Sequence, residues 1–388
     1  MLSLLQGLAT AVTLTTLISS ISPGAASPVQ QGAAKGFTIP VVWDPDPNPA
    51  SNYSKRNDPP DEVPAHFDGS YFSYVSIGNQ GPFKFVFDTG SSMTWVVGTA
   101  NQAPYRYYTP TTAPISTFDV EYRDGAQFSG RVYPGWVSVG GVSVYQAFGV
   151  AAQPSAVEEG ILGLAFNDPR LNTIDTHGGP LYPNFMQLVI ASGKPPILTA
   201  DLNGGYGPSS YDIGVIDHSK HLGNTIAYTV DLNRQDGYWI LEAYRGRRGA
   251  ILDTGAYYIS IEPNAARTYY EQNPDWEWRW NPQSYQYEVR CDAYLQPWTV
   301  IINTVNPRDY RAIVPGPSLI GLPILGTSWC RGGIQINQDT GPDPLDILGT
   351  IFMESQFIVF DYGIERDIRP LAPRIGFAPK PARRRVRG

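Results

Sequence analysis

Two Asp-Thr-Gly triplets carry the acid–base chemistry this chain can offer. Residues 85–92 read Phe-Val-Phe-Asp-Thr-Gly-Ser-Ser, and residues 250–257 read Ala-Ile-Leu-Asp-Thr-Gly-Ala-Tyr. Asp88 and Asp253 stand 253 − 88 = 165 residues apart. Carboxyl groups brought to about 3 Å of one another cannot both ionise readily, so they share a proton over a range of acidic pH. Such a dyad titrates as a unit. Its ionised member can take a proton from water as that water attacks a carbonyl carbon, and its protonated member can donate to the carbonyl oxygen. No covalent intermediate is needed, so no nucleophilic Ser or Cys is required.

The elements that must position these residues repeat. Each aspartate ends a hydrophobic strand and enters a tight turn, where Gly90 or Gly255 lets another backbone approach closely. Gly160-Ile161-Leu162-Gly163 follows the first triplet, and Asp346-Ile347-Leu348-Gly349 follows the second. The Ile-Leu-Gly glycines come 163 − 88 = 75 and 349 − 253 = 96 residues after the aspartates. Two ordered pairs of motifs imply two lobes, each supplying one carboxylate. The small glycine is expected to fit against the aspartate turn while Ile and Leu anchor it in the lobe core.

Composition agrees with that frame. The chain has 388 residues, room for two lobes, with 39 Gly and 35 Pro to serve turns between short strands. Sustained helical periodicity is rare, which points to a mainly β protein. A formal net charge of −7 disfavours nucleic acid as a partner. Two cysteines and four scattered histidines give no zinc pattern, so neither metal nor cofactor is expected. Gly204-Gly205-Tyr206-Gly207 is no phosphate loop, since no helix signal follows it.

Residues 2–21 are uncharged and largely apolar or small, and small residues near Ala26 suit signal peptidase. No later segment has the run of roughly 18 apolar residues of a membrane span. Residues 1–26 are therefore expected to be a secretory signal. The stretch up to Lys55-Arg56 has no periodic structure and is expected to be a propeptide, residues 27–56, cut at that dibasic pair. An ordinary surface pair is the alternative. The processed chain would begin at Asn57 and hold 388 − 56 = 332 residues, without the sequon Asn52-Tyr53-Ser54. In an oxidising compartment Cys291 and Cys330 most simply form one disulfide. Residues 380–388, rich in Arg, read as a solvated tail or a docking signal.

With these residues in view, the sequence resembles the pepsin-like aspartic peptidases of the secreted fungal type. Tyr71–Gly78 resembles the family's opening strand, and Asp88–Val96 its first active-site motif. Val120-Glu121-Tyr122-Arg123-Asp124-Gly125 resembles the flap hairpin, and Ile375–Pro379 the closing strand. Cys291 and Cys330 fall where the family has its second-lobe disulfide. The resemblance implies a bilobal, mainly β fold, with lobes over 57–222 and 223–379 around a cleft that binds an extended peptide. It implies a secreted, or alternatively vacuolar, endopeptidase acting as a monomer. Thr89 and Thr254 should hydrogen-bond across the lobe junction, and Ser91 should donate to Asp88. Tyr122, Asp124 and Gly125 of the flap, with Trp95 and Ile161 behind it, should face substrate, and the Trp95 indole should donate to the Tyr122 hydroxyl.

The sequence departs from the family at four places. Arg123 and Asp124 are bulkier than the usual flap tip. Ala256 stands where many relatives have Ser or Thr, and Thr350 where many have Asp. Some relatives active nearer neutral pH, the renins among them, also lack both groups, so a pH optimum less acidic than pepsin's is expected. Tyr257 replaces the usual Ser and should reshape the neighbouring pocket. A silent binder on the same fold is the competing reading, but such proteins usually show damage to a triplet or to the flap tyrosine. A lectin-like reading rests only on Trp276, Trp278, Trp280, Tyr285 and Tyr287, which suggest a hairpin with one aromatic face; core packing is the more common role for such a face.

Overall fold

The computed structural model describes the backbone of residues 37–44 and residues 70–98, 106–122, 125–152, 159–168, 174, 181–204, 208–229, 237–243, 248–305, 309–338, 344–363 and 372–381. All belong to one compact unit, Ala34–Gly388. The expected signal segment, the Lys55-Arg56 pair, Arg123, Asp124 and most of the basic tail lie outside the described residues.

The internal repeat is a repeated strand arrangement. Strand Gln80–Asp88 runs parallel to Gly160–Gly163, with Asp88 opposite Gly163. In the second half Arg248–Leu252 runs parallel to Asp346–Leu348, with Leu252 opposite Leu348. Strand Trp95–Val97 returns antiparallel to Gly160–Gly163, as Ile259–Ile261 does to Asp346–Leu348. Each return strand then pairs in parallel with one further strand, Val142–Ala151 or Ile334–Ile336. Both residues before each aspartate, Val86 and Phe87 or Ile251 and Leu252, are buried. Parallel strands covered on both faces read as such continuous apolar runs.

The Ile-Leu-Gly glycines sit where expected. A Cβ on Gly163 would lie 2.3 Å from the Ser92 carbonyl carbon, and one on Gly349 would lie 2.5 Å from the Tyr258 carbonyl oxygen. Only hydrogen fits at these contacts, so each turn packs directly on backbone.

The lobes share a 13-stranded sheet, in which the closing strands Gln356–Asp361 and Arg374–Pro379 lie beside Ile197–Asp201 of the first half. Seven- and four-stranded sheets complete the second half. The described helices are short. In Phe185–Ala191, Asn184 and Gln187 form a reciprocal cap, and Phe185, Met186 and Val189 are buried. The Cys291–Cys330 disulfide forms, with a Cα–Cα distance of 5.0 Å, beside the four-stranded sheet.

One expectation needs correction, and one open reading is decided. The stretch before Lys55-Arg56 is not without structure: Phe37–Asp44 is a strand of the shared sheet, seated between Ser209–Ile213 and Ser70–Ile77. Its pairing partners are remote, so local pattern does not announce it. The aromatic hairpin forms, with Trp278 opposite Val289 and Asn281 opposite Gln286, and its aromatics touch one another as expected, but they pack mainly on the core, not as an open strip. Tyr287 is buried and stacks on buried Tyr270 at 4.3 Å, and Trp278 and Trp280 pack against the same core. Only Trp276 and Tyr285 are exposed.

Candidate active site

The parallel strand pairs deliver the two aspartates to facing turns. The Thr89 amide donates to the Thr254 hydroxyl at 3.0 Å, and the Thr254 amide donates to the Thr89 hydroxyl at 2.9 Å. The hydroxyls in turn donate across the junction, Thr89 Oγ1 to the Leu252 carbonyl at 2.8 Å and Thr254 Oγ1 to the Phe87 carbonyl at 2.6 Å. Both threonines are buried, so every one of these groups would be costly to leave unpaired. The four bonds fix the spacing of the aspartates.

Each turn glycine admits the opposite carboxyl. A Cβ on Gly90 would stand 2.5 Å from Cγ of Asp253, and one on Gly255 would stand 2.6 Å from Oδ1 of Asp88. Neither glycine has a positive φ. Their requirement is space for the dyad, not backbone freedom.

The two carboxyl groups are brought close together across the turns, but their donors differ. Asp88 Oδ1 accepts from the Gly90 amide at 2.7 Å, and Oδ2 accepts from the Ser91 hydroxyl. Asp253 Oδ1 accepts only from the amides of Gly255, at 2.8 Å, and Ala256, at 3.2 Å. Burial pushes both carboxyls above the usual aspartate range. For Asp88 the Ser91 and Gly90 bonds work against the rise, and Asp253 donating to it does too. For Asp253 burial is joined by the charge of Asp88, and the rise is larger. Of the two carboxyls, Asp88 is the one that also receives a hydroxyl donor, Ser91.

Strands Ser116–Glu121 and Gln127–Val139 pair as the hairpin that the resemblance identifies as the flap. Its tip is closed by the Tyr122 amide donating to the Ala126 carbonyl at 2.8 Å. Gly125 takes φ +86°, a left-handed conformation that favours glycine. The Trp95 indole donates to the Tyr122 hydroxyl at 2.6 Å, as the resemblance implies. Trp95 is fully buried and stacks on Phe128 at 4.4 Å, and Ile161 belongs to the same cluster. Asp124, expected at the flap tip, lies outside the described residues.

Below Asp253, the Thr350 amide donates to the Ala256 carbonyl at 2.8 Å, while the buried Thr350 hydroxyl has no hydrogen-bond partner. Sequence reasoning missed one nearby residue. Tyr211 is fully buried under the junction, its ring stacked on Phe87 at 4.9 Å. No motif marks it, because it comes 123 residues after Asp88 (211 − 88) and meets the site only through sheet pairing.

Residues 70–378 match the family model described as eukaryotic aspartyl protease. Aspergillopepsin-1 of Emericella nidulans is 33% identical, covering 82% of this chain and 80% of that protein. Aspergillopepsin-1 of Aspergillus fumigatus is 30% identical over 96% of this chain and 98% of its own length. Penicillopepsin-3 of Penicillium janthinellum is 32% identical, covering 82% and 80% respectively. With its two Asp-Thr-Gly turns locked face to face, the chain belongs to the eukaryotic aspartyl protease family and is an aspartic endopeptidase.

Proposed function

We propose that Asp88 and Asp253 are the catalytic pair and that their roles are unequal. Asp88, held ionised by Ser91 and Gly90, takes a proton from the water lying between the carboxyls. Asp253, which holds the shared proton, donates to the scissile carbonyl oxygen as the water adds. The proton then on Asp88 passes to the leaving amine as the C–N bond breaks. Thr89, Gly90, Ser91, Thr254 and Gly255 support this pair. Tyr122, with Asp124 and Gly125, closes over an extended peptide and excludes water, backed by Trp95 and Ile161.

The observation that carries this reading is the close approach of two carboxyls delivered by separate halves of the chain, each turn glycine lying against the opposite carboxyl. The test is cleavage of an unfolded protein at acidic pH by the processed enzyme. Pepstatin should block it and Asp88→Asn should abolish it. Cleavage that persists in Asp88→Asn would end the assignment.

The same proposal includes the wider organisation. Residues 1–26 direct secretion, residues 27–56 are released from covalent attachment by a cut after Arg56, lobes span 57–222 and 223–379, and residues 380–388 form a tail. The enzyme acts as a secreted monomer on protein substrates, without metal, cofactor or nucleic acid. The pH optimum lies above pepsin's, because Asp253 lacks a hydroxyl donor at Ala256 and an acid at Thr350.

A further inference from the structure

Behind the Asp88 turn lies an aromatic cluster drawn from both halves of the chain. Phe166 comes from the first half, and Trp239, Phe360 and Tyr362 come from the second. The Trp239 ring lies 4.4 Å from that of Phe166, 4.7 Å from Tyr362 and 5.1 Å from Phe360. Apolar burial accounts for the rings but not for where their polar ends point. The Trp239 indole donates to the Leu164 carbonyl at 3.2 Å, and the Tyr362 hydroxyl donates to the same carbonyl at 2.6 Å. Leu164 is fully buried. Both lone pairs of its carbonyl are thus taken up by side chains of the other half.

Leu164, which follows strand Gly160–Gly163, also backs the Asp88 turn. Its amide donates to the Asp88 carbonyl at 2.7 Å, and the Ala165 amide donates to the Ser91 carbonyl at 2.8 Å. Trp239 reaches the other aspartate as well: its carbonyl accepts at 2.9 Å from the amide of Leu252, the residue before Asp253. The Leu252 carbonyl accepts in turn from Thr89 Oγ1 at 2.8 Å, beside Asp88. Asp88, Leu164, Trp239, Leu252 and Thr89 therefore form a closed circuit of hydrogen bonds through both halves. Apart from Asp88, its members are fully buried. The opposite side is built differently. Thr350 follows Gly349 as Leu164 follows Gly163, but its carbonyl accepts from the Glu354 amide at 2.8 Å, inside its own half.

We propose that Trp239 and Tyr362 are positioning residues for the aspartate pair: by holding the Leu164 carbonyl from the second half, they fix the Asp88 turn against Leu252 and Asp253. The Asp253 turn is backed from its own half, by the Thr350 and Ile351 amides donating to the Ala256 and Tyr257 carbonyls. The spacing of the carboxyls therefore depends on where the second half holds Leu164. A misplacement of about 1 Å at such a centre can cost about 100-fold in rate. This inference rests on the assignment of Asp88 and Asp253 as the catalytic pair.

Tyr362→Phe removes one donor and keeps its ring, and Trp239→Phe removes the other and keeps an aromatic side chain. Each should lower kcat about threefold or more with KM unchanged. The double variant strips the buried Leu164 carbonyl of both donors and should lose more than the product of the two. The pH profile separates positioning from packing. Carboxyls held close together have well-separated apparent pKa values, so carboxyls that part should bring the acid and alkaline limbs of the kcat–pH profile closer by about half a pH unit or more. Loosened packing alone would lower Tm and leave both limbs in place. Active-site titration with pepstatin normalises each rate to folded enzyme. Trp239→Phe shrinks a core ring, so Tyr362→Phe decides alone if the tryptophan variant yields no folded enzyme. Limbs at their parental positions in every variant that folds would overturn the proposal, whatever the Tm, and leave the cluster as core packing. The catalytic assignment would be untouched by that result, because it stands or falls on Asp88→Asn.

Discussion

Thr89 and Thr254 hydrogen-bond to each other twice, amide to hydroxyl in both directions, at 3.0 and 2.9 Å. The same hydroxyls reach past one another to the carbonyls of Leu252 and Phe87. The register of the two lobes is thus set within one residue of each aspartate, where an error would matter most. Positioning of this kind supplies much of what a catalytic group contributes.

Removing one hydroxyl should therefore cost more than one bond. Thr254→Ala leaves the Thr89 amide and the Phe87 carbonyl unpaired in a buried site, so a loss of about 2–4 kcal/mol is expected, at about 1–2 per orphaned group. Thr254→Ser keeps the hydroxyl and should recover most of that stability. Denaturant unfolding of both variants, with kcat measured alongside, checks the point. Equal stability for the alanine and serine variants would show that the hydroxyl bonds are not what holds the junction.

Gly90 and Gly255 give a separate prediction at the same turns. Gly90→Ala puts a methyl group 2.5 Å from Cγ of Asp253. The carboxyls must then part, and a change of about 1 Å in such a geometry can cost about 100-fold in rate. A Gly90→Ala enzyme with parental kcat would show that the dyad tolerates a wider spacing.

The pH profile should report the missing donor at Ala256. Asp253 is the higher of the two carboxyls, raised by burial and then by the charge of Asp88, so it governs the alkaline limb. A hydroxyl placed there by Ala256→Ser would donate to the ionised form and lower that pKa. The alkaline limb should move down by about half a pH unit or more, while the parent peaks above roughly pH 3. A profile that Ala256→Ser leaves unmoved would mean that the alkaline limb belongs to another group.

Much of this site is legible in the sequence, because its parts are local. Asp88-Thr89-Gly90-Ser91 specifies strand end, turn, cross-bond and donor within four residues, and Gly163 and Gly349 reveal where those turns need room. What sequence does not expose is which remote surfaces meet. Gly90 serves Asp253 rather than its neighbour Asp88. Tyr211 meets Phe87 only because Ser209–Ile213 joins the shared sheet. Phe37–Asp44 contains Pro40 and reads as part of an irregular leader, yet its partners lie on both sides of that sheet. The aromatic hairpin fails as a surface strip because Tyr270, on a helix before it, supplies a buried partner for Tyr287.

Glu354, a half-buried carboxyl away from the dyad, also has a consequence for pH. Burial pushes it up to about 7, against the hydrogen bond from the Tyr71 hydroxyl and the charge of Lys380. That bond is 2.7 Å long, and the Gly204 amide in turn donates to the Tyr71 oxygen at 2.7 Å. An ordinary glutamate loses its proton near 4.5. Between that value and about 7 the folded protein holds the proton and the unfolded chain does not, so stability falls as pH rises. The loss attached to this group is on the order of 3 kcal/mol. Glu354→Gln should flatten that slope, read by denaturant unfolding at about pH 4 and pH 7 in the inactive Asp88→Asn background. An unchanged slope would assign the effect to the dyad instead.

Strand Phe37–Asp44 leads to the last prediction. It pairs through residues 37–41 with Ser209–Ile213 and through residues 42–44 with Ser70–Phe72, so it joins two parts of the shared sheet. A cut after Arg56 would free it covalently without freeing it from those ladders. The chain that follows the cut offers a poor replacement: residues 57–69 contain Pro59, Pro60 and Pro64, none with an N–H to donate, against the single Pro40 of the seated strand. The peptide ending at Arg56 is therefore expected to stay bound after processing, making the active enzyme a two-chain species. Cutting the precursor with a kexin-type protease, followed by native size-exclusion and intact-mass analysis of the active peak, checks this. A peptide that co-elutes at equal stoichiometry supports retention. An active peak made of residues 57–388 alone would show that the strand is discarded and that its place is taken, prolines notwithstanding, by the new terminus. A second substitution guards against a refractory dibasic pair: a specific viral-protease site in place of residues 51–56 forces the cut, and the same two outcomes then decide the question.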